Sequence, residues 1–161
     1  AILAALVRMR PVDHFDVFAA AEGSLSGMEL IQPNMTHRGV LADVSSADFS
    51  GYDGFLFTSF TEGVPYIVLE MSQHAVPMVL ADVRDLRDTF DGTSVDFVEH
   101  GQDVDSTARA FSNAMDRVAM LTATETLARA EAARAQVLLR HAPAVYLRNV
   151  ADIFELPSSH V

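Results

Sequence analysis

Lysine and cysteine are absent from this 161-residue chain. Without cysteine, the chain forms no disulfide and has no thiolate for catalysis or metal binding. Its eleven basic residues are all arginines, and against 22 acidic residues they leave a formal net charge of −11. A surface that binds nucleic acid needs clustered positive charge to displace counterions from phosphates. The charge balance therefore argues against nucleic acid as a partner.

Long hydrophobic runs are absent as well. No apolar run reaches the roughly 18–20 residues that a membrane span needs. The apolar segment Ala1–Val7 lacks the basic residues and the cleavage pattern of a signal peptide. Hydrophobic residues make up 50% of the chain and charged residues 20%, which is typical of a folded domain with its own core. We therefore expect a cytoplasmic domain over residues 1–156, a tail over 157–161 and no transmembrane segment.

Short apolar runs alternate with helical patterns along the chain. The apolar runs predict strands at His14–Ala20, Asn34–Val40, Gly54–Thr58, Pro77–Leu80 and Ser94–Val98. The helical patterns cover Ala1–Met9, Pro65 to about Ala75, Leu86–Phe90, Val104–Val118, Glu125–Arg140 and Pro143–Phe154, while Leu25–Gln32 fits either a short helix or a strand. This alternation predicts a doubly wound α/β sheet of parallel strands with right-handed crossovers.

The stretch "FTSFTEGVPYIVLEM" at 57–71 passes from a strand end through a polar loop into a helix. Doubly wound sheets bind ligands at this edge, beyond the carboxyl ends of the strands. Gly63 permits close approach of a ligand, and Pro65 fits a helix start, where free amide groups attract a phosphate. Glu62 and Glu70 could accept hydrogen bonds from hydroxyl groups on either side, as in a nucleotide-sugar. The alternative is a solvated loop acid followed by an acid on the polar face of a helix.

Other polar groups predict no metal site. The "DVD" at Asp103–Asp105 could hold a metal, but its position predicts a helix cap. The acids of "DHFD" at Asp13–Asp16 are expected on the surface, and His74 is expected to be partly exposed at its helix end. The six histidines have no metal-ligand spacing. The chain contains no G-x-S-x-G, Walker or G-x-G-x-x-G motif.

The run "YDGFLFTSFTEGVPYIVLEMSQHAVPMVLADV" at 52–83 resembles the nucleotide-sugar-binding half of GT-B glycosyltransferases, specifically the retaining family 4 (glycosyl transferases group 1). The matching features are a strand, a polar loop, two glutamates with the spacing E-x7-E, a helix, and then Val76–Pro77. "NMTHRGVL" at 34–41 and "FDGTSVDFVEHGQDVDSTARAFSNAM" at 90–115 extend the similarity, and "LPS" stands where the last helix usually finishes. The resemblance thus covers nearly the whole chain.

This resemblance implies a role for each part of the motif. Glu62 would contact the donor hexose and is the catalytic candidate, together with the backbone of Gly63, Val64 and Pro65. The helix start at Pro65–Tyr66 would face the diphosphate, and Glu70 would hold the ribose hydroxyls. The nucleotide base would lie beside the loop formed by Gly39, Val40 and Leu41.

The resemblance also implies a Rossmann-like, three-layer domain that forms the C-terminal half of a GT-B fold. GT-B enzymes use a nucleotide-diphospho-sugar as substrate and need no metal or other cofactor. Retaining members are usually proposed to react on one face of the sugar, with the leaving phosphate as the base. The resemblance further implies that the acceptor-binding N-terminal domain and a first strand, with the Arg and Lys that grip the diphosphate, lie outside this sequence, so the fragment is expected to be inactive alone.

Two departures and two alternatives accompany the resemblance. The family usually has glycine at Ala75 and often a glycine pair at Arg84–Asp85. A non-catalytic doubly wound module with a regulatory role remains an alternative, although a receiver domain would need a lysine and an aspartate at the end of Gly54–Thr58. A sugar-nucleotide epimerase of GT-B shape is the other alternative.

Overall fold

The computed structural model describes residues 1–18, 32–61, 65–142, 144, 145 and 147. Its strands are β1 (Phe15–Phe18), β2 (Met35–Gly39), β3 (Phe55–Phe57), β4 (Met78–Ala81) and β5 (Asp96–Val98). Its helices are α1 (Ile2–Met9), α2 (Tyr66–Met71), α3 (Arg84–Thr89), α4 (Val104–Ala119) and α5 (Ala123–His141). Each predicted strand is present. The ambiguous segment Leu25–Gln32, the helix predicted at Pro143–Phe154 and the tail lie wholly or almost wholly outside the described residues.

All pairings between the described strands are parallel, as predicted. β1 pairs with β2, with Phe15 opposite Met35, and the register shifts between Val17 and Phe18. β4 lies between β3 and β5 in a second hydrogen-bonded group. Every residue of β4 is buried, because helices cover both faces of the sheet.

Two hydrophobic cores, one on each face of the sheet, complete a three-layer α/β fold. Alternate residues of β4 point to opposite faces, so Met78 and Leu80 belong to one core and Val79 and Ala81 to the other. The first core includes residues of α2, α3 and α5, and the second includes residues of α1 and α4. The predicted fold class is therefore confirmed.

A capping box starts each of the two long helices. The Asp103 carboxylate accepts a hydrogen bond from the Ser106 backbone N–H at 2.7 Å, and the Asp103 N–H donates to Ser106 Oγ at 3.0 Å. The hydrogen bond from the Ser106 backbone lowers the pKa of Asp103. Thr122 and Glu125 form the same arrangement at α5. The cap predicted from "DVD" is confirmed for Asp103, and Asp105 lies in the first turn of α4.

The predicted bounds of α2 are wrong at both ends. Pro65 is not the first helical residue but the N-cap, with φ −73° and ψ 126°, and the helix ends at Met71 rather than near Ala75. The chain tightens there into i to i+3 hydrogen bonds, from Gln73 N to Glu70 O and from His74 N to Met71 O, each 3.0 Å long. The predicted Leu86–Phe90 helix also begins earlier, at Arg84.

Asp16 corrects a second prediction, because it is not a surface acid. Its side chain is only 8% exposed, within β1. Asp16 Oδ2 accepts hydrogen bonds from the Tyr52 hydroxyl at 2.7 Å and from Arg38 Nε at 3.0 Å. Burial alone would raise the pKa of Asp16, but the hydrogen bonds from Tyr52 and Arg38 outweigh it and lower that pKa. Asp13, at the other end of "DHFD", is ion-paired with Arg10.

We expect Tyr52→Phe to lower the free energy of unfolding by about 1–2 kcal/mol at pH 7, since it removes a hydrogen bond to a buried carboxylate. Because the folded-state pKa of Asp16 is lowered, the stability it contributes is present above its unfolded pKa of about 3.9 and is lost as the pH falls through the folded pKa. Urea titrations at pH 7 and near pH 2.5 should therefore show the difference between variant and parent shrinking in acid. Tyr66→Phe, on a side chain that is 82% exposed, is the matched control. An equal effect of both substitutions at pH 7 would contradict this account.

Candidate functional site

Each candidate residue that the structure describes either stands at the carboxyl end of a parallel strand or lies on the helix that follows that strand. The loop at Gly39–Leu41 follows β2, and Pro65 and α2 follow β3. The carboxyl ends of parallel strands meet at the same edge of a sheet, where doubly wound folds bind ligands. The structure therefore places each described candidate at or after the carboxyl end of a strand, in the two hydrogen-bonded groups β1–β2 and β3–β4–β5.

Gly39 ends β2 with φ +78°, a backbone conformation that other residues rarely adopt. Val40, the next residue, is 71% exposed, whereas Leu41 packs against the core that includes α2, α3 and α5. The turn at Gly39 thus directs one apolar side chain outward and the other inward. An exposed apolar side chain here could contact the face of an aromatic ring such as a nucleotide base.

We expect Gly39→Ala to lower the free energy of unfolding by about 1–2 kcal/mol, the usual cost of a left-handed conformation for an L-residue. A Cβ on Gly39 would have no heavy atom within 4 Å, so the cost comes from the backbone alone. Gly51→Ala is the matched control, because Gly51 has equal space and no positive φ. Thermal melts of both variants measure the difference. If the two substitutions are equally mild, the conformational strain at Gly39 is refuted.

Helix α2 buries Val68 and Met71 and presents Tyr66 and Glu70 to solvent. Tyr66 is 82% exposed at the start of the helix. The carboxylate of Glu70 makes no hydrogen bond or ion pair with any described residue, so its acceptor oxygens are available to a ligand. This exposure also fits the alternative of an ordinary acid on the polar face of a helix.

His74 connects the end of α2 to the segment that follows the Gly39–Leu41 loop. Its Nε2 lies 2.9 Å from the Val44 carbonyl oxygen, and its ring contacts the Phe49 ring edge-on, with centroids 4.7 Å apart. His74 is half-buried in the turn after α2, as predicted, but its role in holding two parts of the candidate site together was missed. An isolated histidine in the sequence carries no sign of such a partner thirty residues away.

The segment between β3 and α2 contains three candidates outside the described residues: Glu62, Gly63 and Val64. Just before them, Phe60 contacts the ring of His100 edge-on at 4.9 Å between centroids and the ring of Phe111 at 6.4 Å. Phe60 therefore anchors the chain leaving β3 to the segment after β5 and to α4. Phe60 was not among the predicted site residues, although a large aromatic residue in a polar loop indicates an anchor.

Among the described residues, no group of three or more histidine, aspartate or glutamate side chains could hold a metal ion. Within the same residues, no helix has both the length and the apolar character needed to cross a membrane.

The fold has a clear counterpart among solved structures. The crystal structure of TarM, a glycosyltransferase, matches this chain with a TM-score of 0.66, over 95% of this chain and 31% of the TarM chain, at 14% sequence identity. This chain shares the fold of that part of TarM. At 14% identity the likeness concerns the fold alone, and the chain spans about a third of the length of TarM. No family model and no curated protein matches the sequence.

Proposed function

We propose that this chain is the donor-binding domain of a retaining glycosyltransferase of the GT-B type that transfers a hexosyl group from a nucleotide-diphospho-sugar. The observation that supports the proposal is that the Gly39–Leu41 loop stands at the carboxyl end of β2 and Glu70 on the helix after β3, in a fold shared with TarM. In this proposal the chain acts with an acceptor-binding domain elsewhere in the protein and is inactive without it.

The donor would lie along the carboxyl edge with the base at one end and the sugar at the other. The base would contact Gly39, Val40 and Leu41, and the ribose hydroxyls would donate hydrogen bonds to Glu70. The diphosphate would lie near Pro65 and Tyr66. Because α2 has only six residues, its dipole is small, and we expect most of the charge compensation to come from basic side chains.

The sugar would then lie against the loop that contains Glu62, Gly63 and Val64, with Glu62 as the catalytic candidate at the hexose. Departure of the diphosphate and attack by the acceptor would occur on the same face of the sugar. No metal takes part in this proposal, so positive side chains must offset the charge that develops on the leaving diphosphate.

One exposed arginine of this chain lies at the same edge. Arg84 begins α3 shortly after β4, the strand next to β3, and it forms no ion pair with any described residue. Arg38 and Arg87 are instead paired with Asp16 and Asp82. Arg84 therefore supports the proposal as a cation that a diphosphate could approach, at a position where the family often has glycine.

The proposal is tested by titrating the isotope-labelled protein with UDP-, GDP- and ADP-sugars and following backbone amide resonances. We expect one nucleotide series to shift the resonances of Gly39, Val40, Tyr66 and Glu70, while Gly92, in the turn after α3, stays unchanged. The absence of shifts at millimolar donor, or shifts confined to other residues, would refute donor binding. Stable capture of a protein partner that no nucleotide affects would favour the regulatory module.

A further inference from the structure

Helix α5 is attached to the domain along one face only. Two of its 19 residues are buried, in the core that also includes residues of α2 and α3. On the same side, Gln136 Oε1 accepts a hydrogen bond from the Ser94 hydroxyl at 2.7 Å, and His141 Nε2 lies 2.9 Å from Thr89 Oγ1. These contacts fix the rotation of α5 about its own axis, so its opposite face is held toward solvent.

Four residues on the outward side of α5 form one line along the helix, here called the stripe. Spaced at steps of four, three and four, they are Leu127, Glu131, Arg134 and Leu138. Side chains with this spacing align on one side of a helix. All four are exposed, Leu127 by 52% and Leu138 by 51%. Neither Glu131 nor Arg134 is paired with another described residue, so the stripe presents two leucines and two unpaired charges of opposite sign.

The stripe is complementary to a reversed copy of itself. The midpoint between Leu127 and Leu138 along the helix is also the midpoint between Glu131 and Arg134. When two such helices lie antiparallel about a two-fold axis through this midpoint, Leu127 of each copy lies opposite Leu138 of the other. Glu131 of each copy then lies opposite Arg134 of the other, which gives two ion pairs. A two-fold contact brings the same patch of both molecules together, and it therefore requires a self-complementary pattern of this kind.

Charge and hydrophobicity also favour α5 as the place where a second copy docks. The chain has a formal net charge of −11, so two copies repel one another over most of their surface. Helix α5 has three arginines and two glutamates, which give it a formal charge of +1. It also exposes three leucines, Leu127, Leu138 and Leu139, which is more large apolar side chains than any other described helix or strand exposes. Grouped apolar side chains of this kind are typical of a protein–protein contact.

We propose that two copies of this chain associate through α5, with their stripes antiparallel across a two-fold axis. Helix α5 is about 28 Å long, since each helical residue adds about 1.5 Å. A contact between two helices of this length is smaller than the roughly 1,200–2,000 Å² of a stable interface. We therefore expect a reversible dimer with a Kd between about 1 µM and 1 mM. No candidate residue for donor binding lies on α5, so this inference stands or fails separately from the proposed function.

Sedimentation equilibrium of the full-length protein over this concentration range tests the dimer, which should raise the average mass from that of one chain toward that of two. Glu131→Arg sets arginine against arginine at both contacts, and Arg134→Glu sets glutamate against glutamate. Each should weaken association by at least about tenfold, because like charges in an interface repel. Asp88→Arg on α3 and Arg109→Glu on α4 make the same charge changes at other exposed positions and should associate as the parent does. A parent that stays monomeric up to about 1 mM leaves the stripe to another partner and overturns the proposal.

Mixing the two charge-reversed proteins tests the antiparallel register. In a pair of one Glu131→Arg chain and one Arg134→Glu chain, the two introduced charges face each other and the two original charges face each other. The mixture should therefore associate about as tightly as the parent, although each variant alone does not, and the double variant should associate with itself again. In a parallel pair Glu131 would face Glu131, so neither single substitution would weaken association. Single variants that associate like the parent, or a mixture that does not restore association, would place the contact elsewhere and overturn the proposal.

Discussion

Phe111→Ala is expected to lower the free energy of unfolding by about 3–5 kcal/mol, the usual range for removing a buried aromatic side chain. Phe111, a residue of α4, is fully buried in the core that α4 forms with α1 and the sheet. It also contacts the ring of Phe60, so its loss leaves a cavity and removes the anchor of the chain leaving β3. Since the free energy of unfolding of a domain is only about 5–15 kcal/mol, the substitution should remove a large part of it.

Urea unfolding measures this effect as a lower midpoint with an unchanged slope. Met120→Ala is the control, because Met120 stands at the end of the same helix and is 84% exposed. Its effect should stay within about 0.5 kcal/mol. A loss below about 1 kcal/mol for Phe111→Ala would mean that the core beneath α4 is not closely packed.

The strands could be predicted from the sequence because the pattern of a buried parallel strand depends only on residues adjacent in the chain. The segments around β3, β4 and β5 are short runs of apolar residues bounded by polar or turn residues, and these features need no distant partner. The N-terminal cap of α4 could be predicted for the same reason, since Asp103 and Ser106 lie only three residues apart. The C-terminal end of α2 could not be predicted from adjacent residues. The turn after Met71 is held by His74 bonded to Val44, thirty residues earlier in the chain.

Asp16 shows where pattern reasoning failed. In the alternating segment of β1, Phe15 and Val17 share one face, and Asp16 therefore points to the other. That face was assumed to meet solvent. The burial of Asp16 arises from Tyr52, 36 residues later, and from Arg38 on the neighbouring strand. Periodicity assigns a side chain to a face, but only tertiary structure determines what covers that face.

The candidate site likewise has positions that could be predicted from the sequence and contacts that could not. The loop at Gly39 and the helix start near Pro65 could be placed at one edge of the sheet from the order of elements, since parallel strands end at that edge. The contacts that fix this edge, from His74 to Val44 and from Phe60 to Phe111, join residues far apart in sequence.

If the chain binds a nucleotide-diphospho-sugar, Glu70→Gln should weaken binding by about ten- to a hundredfold. A hydrogen bond to a charged group contributes about 1.5–3 kcal/mol, and each 1.4 kcal/mol is a factor of ten in affinity. The carboxylate of Glu70 is exposed and has no partner among the described residues, so the substitution should leave the thermal unfolding midpoint unchanged. Calorimetric titration of the full-length protein with its donor measures the affinity. Glu131→Gln, an exposed acid on α5, is the matched control and should bind as the parent does.

A donor that lacks the ribose hydroxyls separates a direct contact from a general charge effect. The parent should bind this deoxy donor about ten- to a hundredfold more weakly than the normal donor, because Glu70 then loses its hydrogen-bond partners. Glu70→Gln should distinguish the two donors much less, since the interaction is already lost, and the double-mutant cycle then shows a coupling energy of about 1–2 kcal/mol. If the two losses instead add fully, Glu70 does not contact the ribose. A charge effect alone would have the opposite sign, because removing a negative charge from an already acidic chain near a diphosphate should strengthen binding.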